Sequence, residues 1–351
     1  MLVRSETTSL DVRVAVIGCG AWGKNLVRNF AELDALGGIV DPHQETVEAL
    51  VARHGGRALS FEEVLASPAI QGVAIVTQPS RHHALARRAL EAGKHVFVEK
   101  PIALDIAEAR DLAALAERPG RCLMVGHILQ YHPAFLALKA LVRSGRLGRL
   151  QRIQANRLNL GAVRREEDVL WCLAPHDVSM ILSLISNMPS RVAATGGYHL
   201  REDIADAATL QLWFPGGEQA QISVSWLHPY KEHRLAVIGS EGMAVFDDGE
   251  PWERKLMLYP HRVAWNGDEA ALSRGEGTQV PLDPAEPLRA ECAHFLDCIR
   301  SGTRPATDAG EALRVMDVLT RASEAMRAER EQNQNAGRPA VSGRARIVAA
   351  G

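Results

Sequence analysis

The chain has 351 residues, of which 46% are hydrophobic and 23% are charged, and its formal net charge at pH 7 is −2. This length favours about two domains, and this balance of residues is that of a folded globular protein, which excludes global disorder. A net charge near zero gives no long-range attraction to a polyanion, so we expect no nucleic acid as the main partner.

No apolar stretch of the sequence approaches the roughly 20 residues that a helix needs to span a bilayer. The N-terminal residues contain no apolar signal core, so we predict a cytoplasmic protein that does not bind membranes. Its five cysteines are scattered and form no Cys-x-x-Cys pair. This pattern predicts neither a disulfide framework nor a metal site.

The first part of the chain alternates short apolar runs with helix-like stretches, which is typical of a parallel sheet wrapped by helices. The predicted strands comprise residues 14–17, 38–40, 72–76, 95–98 and 122–125. The predicted helices between them comprise residues 22–33, 44–54, 80–92 and 106–116. We therefore predict an α/β domain at residues 1–125 with a doubly wound parallel sheet.

From about residue 150 the pattern changes to an alternation of period two, which is typical of strands with one buried face. Such strands are predicted at residues 151–157, 191–196, 208–214, 219–226, 233–238, 244–247 and 255–259, with a tight turn at 239–242. Helices are predicted at residues 170–184, 288–301 and 308–327. We therefore predict that residues 126–328 form an α+β domain with an open, mostly antiparallel sheet.

An open sheet needs a cover for the face that its own helices leave free, and a second copy of the chain is the usual cover. We therefore predict a homodimer or homotetramer assembled through this sheet. The segment 329–351 is rich in Gln, Asn, Gly and Arg, and we predict that it is a flexible tail.

The first predicted strand leads directly into a G-x-G-x-x-G loop that opens a helix. In such a loop Gly18 permits a tight turn, Gly20 lets a pyrophosphate approach the backbone, and Gly23 allows close helix–strand packing. Asp41 ends the second strand, where a carboxylate accepts hydrogen bonds from the ribose, and no Arg or Lys follows it directly, so NAD is favoured over NADP. The structural alternatives are a glycine-rich turn that binds no ligand and, for Asp41, an aspartate that caps a helix or a turn. The pattern predicts a Rossmann-type NAD site with Gly18, Gly20, Ala21, Trp22, Gly23 and Asp41.

Two further motifs follow in order, the segment from Thr77 to His82 and then Glu99-Lys100-Pro101. With the glycine loop and Asp41, this order resembles the glucose–fructose oxidoreductase/inositol dehydrogenase (Gfo/Idh/MocA) family over most of the chain. The resemblance implies a nicotinamide-dependent sugar or cyclitol oxidoreductase that is oligomeric through its second sheet. It also adds to the cofactor site Thr77, Pro79, His82, Glu99 and Lys100.

Lys100 stands at the carboxyl end of the fourth predicted strand, where a doubly wound sheet places its ligands. Oxidation of a secondary alcohol needs a base for the hydroxyl proton, and we predict that Lys100 is this base. A lone surface lysine is the structural alternative. In the family the peptide bond before this proline is often cis, which predicts a cis bond before Pro101.

The resemblance implies a second catalytic residue at His176, preceded one helical turn earlier by an aspartate that shares its face of the helix. This chain has Cys172 at that position, and a thiol is a poor substitute for a carboxylate at neutral pH. We therefore expect Lys100 and His176 to act without a third residue, a buried structural histidine being the alternative. Pro175 favours the first turn of a helix, which predicts that Cys172 lies just before it.

Further substrate contacts are predicted around these two residues, in the segment after the fifth strand and on the strand and loop before His176. The guanidinium groups of Arg157 and Arg164 can bind a diphosphate, and the Trp171 ring can stack on a sugar or base. Surface charges and a packed aromatic are the structural alternatives. The predicted substrate contacts are Lys100, His127, Tyr131, Arg157, Asn159, Arg164, Trp171, Cys172 and His176.

Residues 23–30, 126–133 and 170–177 are most similar to nucleotide-sugar members of the family, and among these to UDP-N-acetylglucosamine 3-dehydrogenases. The resemblance implies NAD-dependent oxidation of the C3 hydroxyl of UDP-N-acetylglucosamine for lipid A or surface polysaccharide. The alternatives are a nucleotide-deoxysugar 3-ketoreductase, a free cyclitol or sugar dehydrogenase, and a non-catalytic dinucleotide-binding regulator.

Overall fold

A five-stranded parallel sheet with the strand order β2-β1-β3-β4-β5 forms the N-terminal layer of the computed structural model, which describes residues 11–161, 163–164 and 167–335. Its strands are β1 Val14–Ile17, β2 Leu36–Val40, β3 Gly72–Ile75, β4 His95–Glu99 and β5 Leu123–Gly126. Its helices are α1 Gly23–Glu32, α2 Gln44–His54, α3 Phe61–Ala66, α4 His82–Glu91 and α5 Ile106–Ala116. The predicted doubly wound parallel sheet is confirmed. The short helix α3 was not predicted, although Ser60 begins it with a capping box.

The second layer is a nine-stranded sheet with the order β13-β12-β11-β10-β6-β9-β8-β7, and β14 pairs with β12. Its strands are β6 Leu150–Leu160, β7 Arg191–Gly197, β8 Ala207–Trp213, β9 Gln219–Ser225, β10 Leu227–Gly239, β11 Gly242–Asp247, β12 Leu256–Asn266, β13 Glu269–Arg274 and β14 Thr278–Gln279. Among these pairs only β6 and β9 are parallel. The predicted mostly antiparallel sheet is confirmed, as is the turn between β10 and β11.

Four helices complete the described chain, and they are α6 Pro133–Arg143, α7 Val169–Leu184, α8 Pro287–Ser301 and α9 Ala309–Asn335. Alternating side chains of the large sheet, among them Ile222 and Val224, are buried in one core with α7 and α9. The opposite face of the sheet carries Gln154 and Gln221 next to Met243. None of the helices in the described ranges has the length and the apolar character needed to cross a membrane.

The last two helices return to the parallel sheet and pack against its two faces. On one face, Cys292 and Phe295 of α8 share a core with β1 and β4, and the Phe295 ring lies 5.9 Å from that of Phe97. On the other face, Ala312 and Met316 of α9 share a core with β3, β4 and β5. Both faces of the parallel sheet are therefore completed by residues from the end of the chain.

Two predictions about helix ends were wrong. Helix α9 continues to Asn335, past residue 329 where the flexible tail was predicted to begin, while residues 336–351 lie outside the described residues. Pro175 lies inside α7 and not in its first turn, because Asp168 caps the helix by accepting from the Trp171 N–H at 3.1 Å. Cys172 is therefore inside the helix, one turn before His176.

Candidate active site

The glycine loop between β1 and α1 leaves room for a phosphate. Gly18 has a φ of +93°, and a Cβ added there would lie 2.8 Å from the carbonyl oxygen of Val76. A Cβ added to Gly23 would collide with the Gly18 carbonyl oxygen, whereas the Cβ position of Gly20 has no heavy atom within 4 Å. The first turn of α1 contains no acidic residue, so its free N–H groups are available to an anion. These residues fit the pyrophosphate of a dinucleotide.

Asp41, at the end of β2, joins two loops at this edge of the sheet. Its carboxylate accepts hydrogen bonds from the backbone N–H groups of Cys19, at 2.6 Å, and of His43, at 2.9 Å. Ala21 and Trp22 are exposed on the neighbouring glycine loop. Because a carboxylate has about four acceptor sites, Asp41 can hold these loops and still accept a hydrogen bond from a ribose hydroxyl.

The loop after β3 supports the turn that follows β4. The Cγ2 of Thr77 lies 3.0 Å from the Cβ position of Gly18, and Pro79 begins a short 3₁₀ turn. The two ring nitrogens of the buried His82 lie 2.8 Å from the carbonyl oxygen of Pro101 and 3.0 Å from that of Thr77. A neutral ring donates to one of these two carbonyl oxygens, so His82 links the two loops. Its contact with the cofactor stays a prediction.

Glu99, directly before Lys100, lies close to the buried carboxyl group of Glu291. The indole N–H of Trp22 donates to Glu99 at 2.6 Å, and burial raises the pKa of Glu99 although Trp22 and Lys100 act in the opposite direction. Glu291 of α8 is fully buried, and among the described residues neither of its carboxyl oxygens has a hydrogen-bond partner. Burial and the nearby Glu99 raise the pKa of Glu291 well above its ordinary value. These surroundings favour the protonated form of Glu291.

Lys100 is held against the backbone of α7. The peptide bond between Lys100 and Pro101 is cis, as the resemblance implied, and the Lys100 Nζ donates to the carbonyl oxygen of Cys172 at 2.7 Å. Pro175 has no N–H to donate to the carbonyl of Trp171, one turn earlier in the helix. The carbonyl of the adjacent Cys172 accepts from the lysine. The backbone of residue 172, and not its side chain, contacts the predicted base.

His176 lies one turn further along α7, on the same side as Cys172. Its Nδ1 is buried and has no hydrogen-bond partner within the described ranges. Burial, together with the positive charges of Lys100 and Arg157, lowers the pKa of His176 well below its ordinary value. A neutral imidazole with a free ring nitrogen therefore lies beside Lys100 and can bind a substrate hydroxyl.

Arg157 does not have the free guanidinium that a diphosphate clamp needs. Its Nε and Nη2 donate to Asp177 at 2.7 Å and 3.0 Å, and both residues are buried. The predicted contact is corrected: this bidentate pair fixes α7 to β6. His233 lies opposite Arg157 in the register of β10 and β6, and burial together with Arg157 lowers the pKa of His233 to about 4.

Two predicted aromatic contacts belong to the protein interior. Tyr131 is buried, with its hydroxyl 3.1 Å from that of Thr307, so its predicted role in substrate binding is corrected to core packing. The indole N–H of Trp171 donates to Ser323 of α9 at 2.9 Å. Trp171 lines a separate cavity of about 620 Å³ whose walls carry five carboxylates and two arginines. This negative lining does not suit the diphosphate of a nucleotide sugar.

The remaining predicted substrate residues lie at the ends of β5 and β6. The Oδ1 of Asn159 is buried and unpartnered among the described residues, so it is available to a ligand. Arg164 is 56% exposed and its Nε lies 3.7 Å from Glu167. His127 is buried directly after β5, next to Glu99 on β4. Asn159 and His127 thus extend the site on either side, while Arg164 lies on the surface.

Three residues of this region were not predicted, namely His233, Glu291 and Glu311. Of these, Glu311 contacts His127. His233 lies in a predicted strand, but period-two alternation gives no indication of which polar residue faces a site. Glu291 and Glu311 come from helices far along the chain, and no local motif marks them. Within the described ranges, no group of three or more His, Cys, Asp or Glu side chains is placed to bind a metal ion.

Comparison with known proteins agrees with this geometry. Residues 12–127 match the model of the oxidoreductase family with an NAD-binding Rossmann fold, and residues 135–245 match the GFO/IDH/MocA C-terminal domain. The chain belongs to this family. It is 30% identical over 291 residues to UDP-N-acetylglucosamine 3-dehydrogenase of Acidithiobacillus ferrooxidans. The aligned region covers 83% of this chain and 89% of that protein.

Other relatives of the family are similar at comparable levels. The inositol 2-dehydrogenase of Rhizobium meliloti is 27% identical over 255 residues, or 69% of this chain and 77% of the relative. The solved structure of UDP-N-acetylglucosamine 3-dehydrogenase GnnA from Acidithiobacillus ferrooxidans superposes with a TM-score of 0.80 at 28% identity, covering 91% of this chain and 98% of that one. The protein is thus an oxidoreductase of a family whose members include sugar and cyclitol dehydrogenases.

Substitution of Cys172 by aspartate tests whether position 172 affects the chemistry. A carboxylate one turn before His176 would stabilise the imidazolium, so we expect Cys172→Asp to raise the pKa of His176. If neutral His176 binds the hydroxyl, the acidic limb of the pH–rate profile then moves to higher pH. The profile and the melting temperature are measured together, because Cys172 is buried in an apolar core and a buried charge is costly. An unchanged profile in a stable variant would assign Cys172 to packing alone.

Proposed function

We propose that the protein is an NAD-dependent dehydrogenase that oxidises the C3 hydroxyl of a UDP-linked N-acetylhexosamine, with UDP-N-acetylglucosamine as the first candidate. The observation that carries this proposal is the pairing of Lys100 with helix α7 at the carboxyl end of the parallel sheet. It brings an amine and the neutral His176 together beside the cofactor loop. The similarity to UDP-N-acetylglucosamine 3-dehydrogenase supports the substrate.

The reaction needs a base, an oriented hydroxyl and a hydride acceptor. Lys100 removes the hydroxyl proton once its amine is unprotonated, and the Cys172 carbonyl fixes the position of the amine. His176, neutral and with a free ring nitrogen, holds the reacting oxygen. NAD, when bound, supplies the ring that accepts the hydride. Loop residues Gly18 and Gly20 would hold its pyrophosphate.

Lys100 supplies a positive charge that can attract an anionic substrate. Lys100 and Arg157 both act on His176, while Glu99 faces Lys100 and Asp177 occupies the Arg157 guanidinium. Because the Arg157 guanidinium is occupied, a free cyclitol is the second candidate substrate, as the name of the inositol 2-dehydrogenase relative suggests.

A panel assay tests the proposal. Purified protein and NAD are mixed in turn with UDP-, dTDP- and free sugars and cyclitols, and NADH is followed by absorbance. We expect NADH with UDP-N-acetylglucosamine, and none with the Lys100→Met variant, which keeps the length of the side chain but removes the amine. Activity with a free cyclitol alone would replace the first candidate by the second. Tight NAD binding without turnover on any sugar would favour the non-catalytic regulator.

Cofactor preference provides a separate prediction. We expect NAD to bind at least roughly tenfold more tightly than NADP, about 1.4 kcal/mol, because a 2′-phosphate would meet the negative charge of Asp41. Titration of both cofactors measures the two dissociation constants. The matched variant is Asp41→Asn, which keeps the size of the side chain but, because the Cys19 and His43 N–H groups bond different carboxylate oxygens, retains an acceptor for one of them. Its preference for NAD should be weaker, and equal constants in the native protein would contradict the role of Asp41.

The uncovered face of the large sheet supports a homodimer or homotetramer. Gln154, Met243, Val245 and Tyr259 line a depression of about 520 Å³ on this face, and we propose that a second copy covers it. A monomer in sedimentation experiments would contradict this. Because NAD and nucleotide sugars are cytoplasmic metabolites, we place the reaction there, as a step toward lipid A or surface polysaccharide.

A further inference from the structure

A buried histidine–carboxylate pair lies between the candidate active site and a second cavity. The Nδ1 of His127 lies 2.6 Å from Oε2 of Glu311, and the hydroxyl of Ser179 donates to Oε1 of the same carboxylate at 2.6 Å. The side-chain amide of Gln130 donates to Ser179 at 2.8 Å and accepts from Lys139 at 3.2 Å. These five side chains come from α6, α7, α9 and the segment after β5, and they form one continuous hydrogen-bonded chain.

The contacts define which nitrogen of His127 carries the proton. Burial raises the pKa of Glu311, but the contacts with His127 and Ser179 outweigh burial and the net shift is downward. Glu311 is therefore ionised at neutral pH and can only accept hydrogen bonds. His127 must then donate from Nδ1, and in the neutral ring Nε2 is a free acceptor.

The pair is adjacent to the reacting groups. Glu99 and Gly126 are opposite each other in the register of β4 and β5, so Lys100 and His127 are the next residues of neighbouring strands. Residues 172, 176 and 179 lie on one stripe of α7. This stripe contacts Lys100 at one end and Glu311 at the other, with His176 between them.

The other end of the chain reaches solvent. Glu311, Gln130 and Lys139 line a cavity of about 480 Å³. Its rim includes Ser186 and Gly310, both of which are exposed, so the cavity opens to the surface of the protein. The carboxylate of Glu311 therefore contacts His127 at the active site and also borders a space that water can enter.

We propose that His127 and Glu311 form the proton outlet of the active site, and this proposal rests on the dehydrogenase function proposed above. Oxidation of an alcohol by NAD releases one proton per turnover. Lys100 takes the hydroxyl proton and becomes an ammonium, which then gives that proton to Nε2 of His127. The Nδ1 proton of His127 passes to Glu311 and from there to water in the cavity, which restores Lys100 and Glu311 and leaves His127 as its Nε2–H tautomer. Between turnovers, loss of the Nε2 proton to water in the emptied site and return of a proton to Nδ1 through Glu311 restore the starting tautomer.

The charged groups around the outlet agree with this direction. His127 faces Glu99, His176 and Glu311, and Glu311 also faces Arg314 and Lys139. Glu311 holds the ring of His127 through a hydrogen bond, as the acid one turn before His176 would hold His176 in the family pattern that this chain lacks. A histidine–carboxylate pair on the other side of the site would thus supply the function that Cys172 cannot.

Kinetics of Glu311→Gln and His127→Ala test the outlet. Each variant should lower kcat by about 100-fold with little change in KM, the scale of one general acid–base contribution. The solvent isotope effect on kcat should rise, and added imidazole should restore turnover of His127→Ala. The matched control is Asp111→Asn, which breaks the surface pair formed by His83 and Asp111 at 2.8 Å and should leave kcat unchanged.

A spectroscopic measurement tests the proposal without a substrate. In the native protein at neutral pH, ¹⁵N shifts should show His127 protonated at Nδ1, with a downfield proton signal that Glu311→Gln removes. A proton on Nε2 would overturn the outlet whether or not the sugar is known. An inactive native protein would contradict the proposed function itself, whereas an active protein whose kcat, isotope effect and pH profile are unaffected by both variants would contradict the outlet alone.

Discussion

Replacement of Lys100 by alanine is expected to lower kcat by about two to four orders of magnitude, the usual contribution of a general acid–base group. The amine of Lys100 is held against α7, near His176, by its bond to the Cys172 carbonyl. The dissociation constant for NAD should not change, because the glycine loop and Asp41 are unaffected. Steady-state kinetics and cofactor titration of the same preparation measure both quantities.

Lys100→Met is the matched variant, since it keeps most of the volume and loses only the charge and the donor. It should be as inactive as Lys100→Ala, with a melting temperature close to that of the native protein. A Lys100→Ala variant that retains most of its turnover would remove Lys100 from the mechanism. Loss of NAD binding in both variants would instead show that the lysine serves the cofactor.

Breaking the buried pair between Arg157 and Asp177 should have the largest effect on stability. Asp177→Ala leaves the guanidinium buried without its partner, and such a change costs about 3–5 kcal/mol. The free energy of unfolding is measured by urea denaturation of the native and variant proteins. We also expect lower activity, because the pair fixes α7, which carries His176.

Two controls separate the charge from the packing. The double variant Arg157→Met with Asp177→Leu removes both charges, and its stability should lie much closer to that of the native protein. The exposed pair of Arg201 and Asp203, 2.8 Å apart, should tolerate Asp203→Ala without a measurable change. Equal losses in the single and double variants would show that the contribution of this pair is packing and not charge.

The fold could be predicted from local patterns because each strand of the parallel sheet has its own apolar run and its own loop signal. The glycine loop, Asp41 and Lys100 lie at strand ends, as predicted, because strand ends position them without help from distant residues. Pro175 shows where local rules fail. Its preference for a first turn was overridden by Asp168, a better capping residue that begins the helix earlier.

The partners of the site residues could not be predicted from sequence spacing. Arg157 looked free until α7 placed Asp177 against it, and Tyr131 looked exposed until α8 covered it. His127 was predicted to contact the substrate, but its carboxylate partner Glu311 is far along the chain. Such pairings depend on how α7, α8 and α9 pack, which no period or motif encodes.

Helix α8 has a consequence for how the protein is made. The first strand of the cofactor domain begins at Val14, yet part of the core of this domain comes from Leu288, Cys292 and Phe295. During translation, the nascent Rossmann sheet therefore emerges with one face incompletely covered, and it can be completed only after most of the chain has left the ribosome. An isolated fragment that ends at residue 127 would expose the same apolar face, so we expect it to be less stable than the same residues in the whole chain.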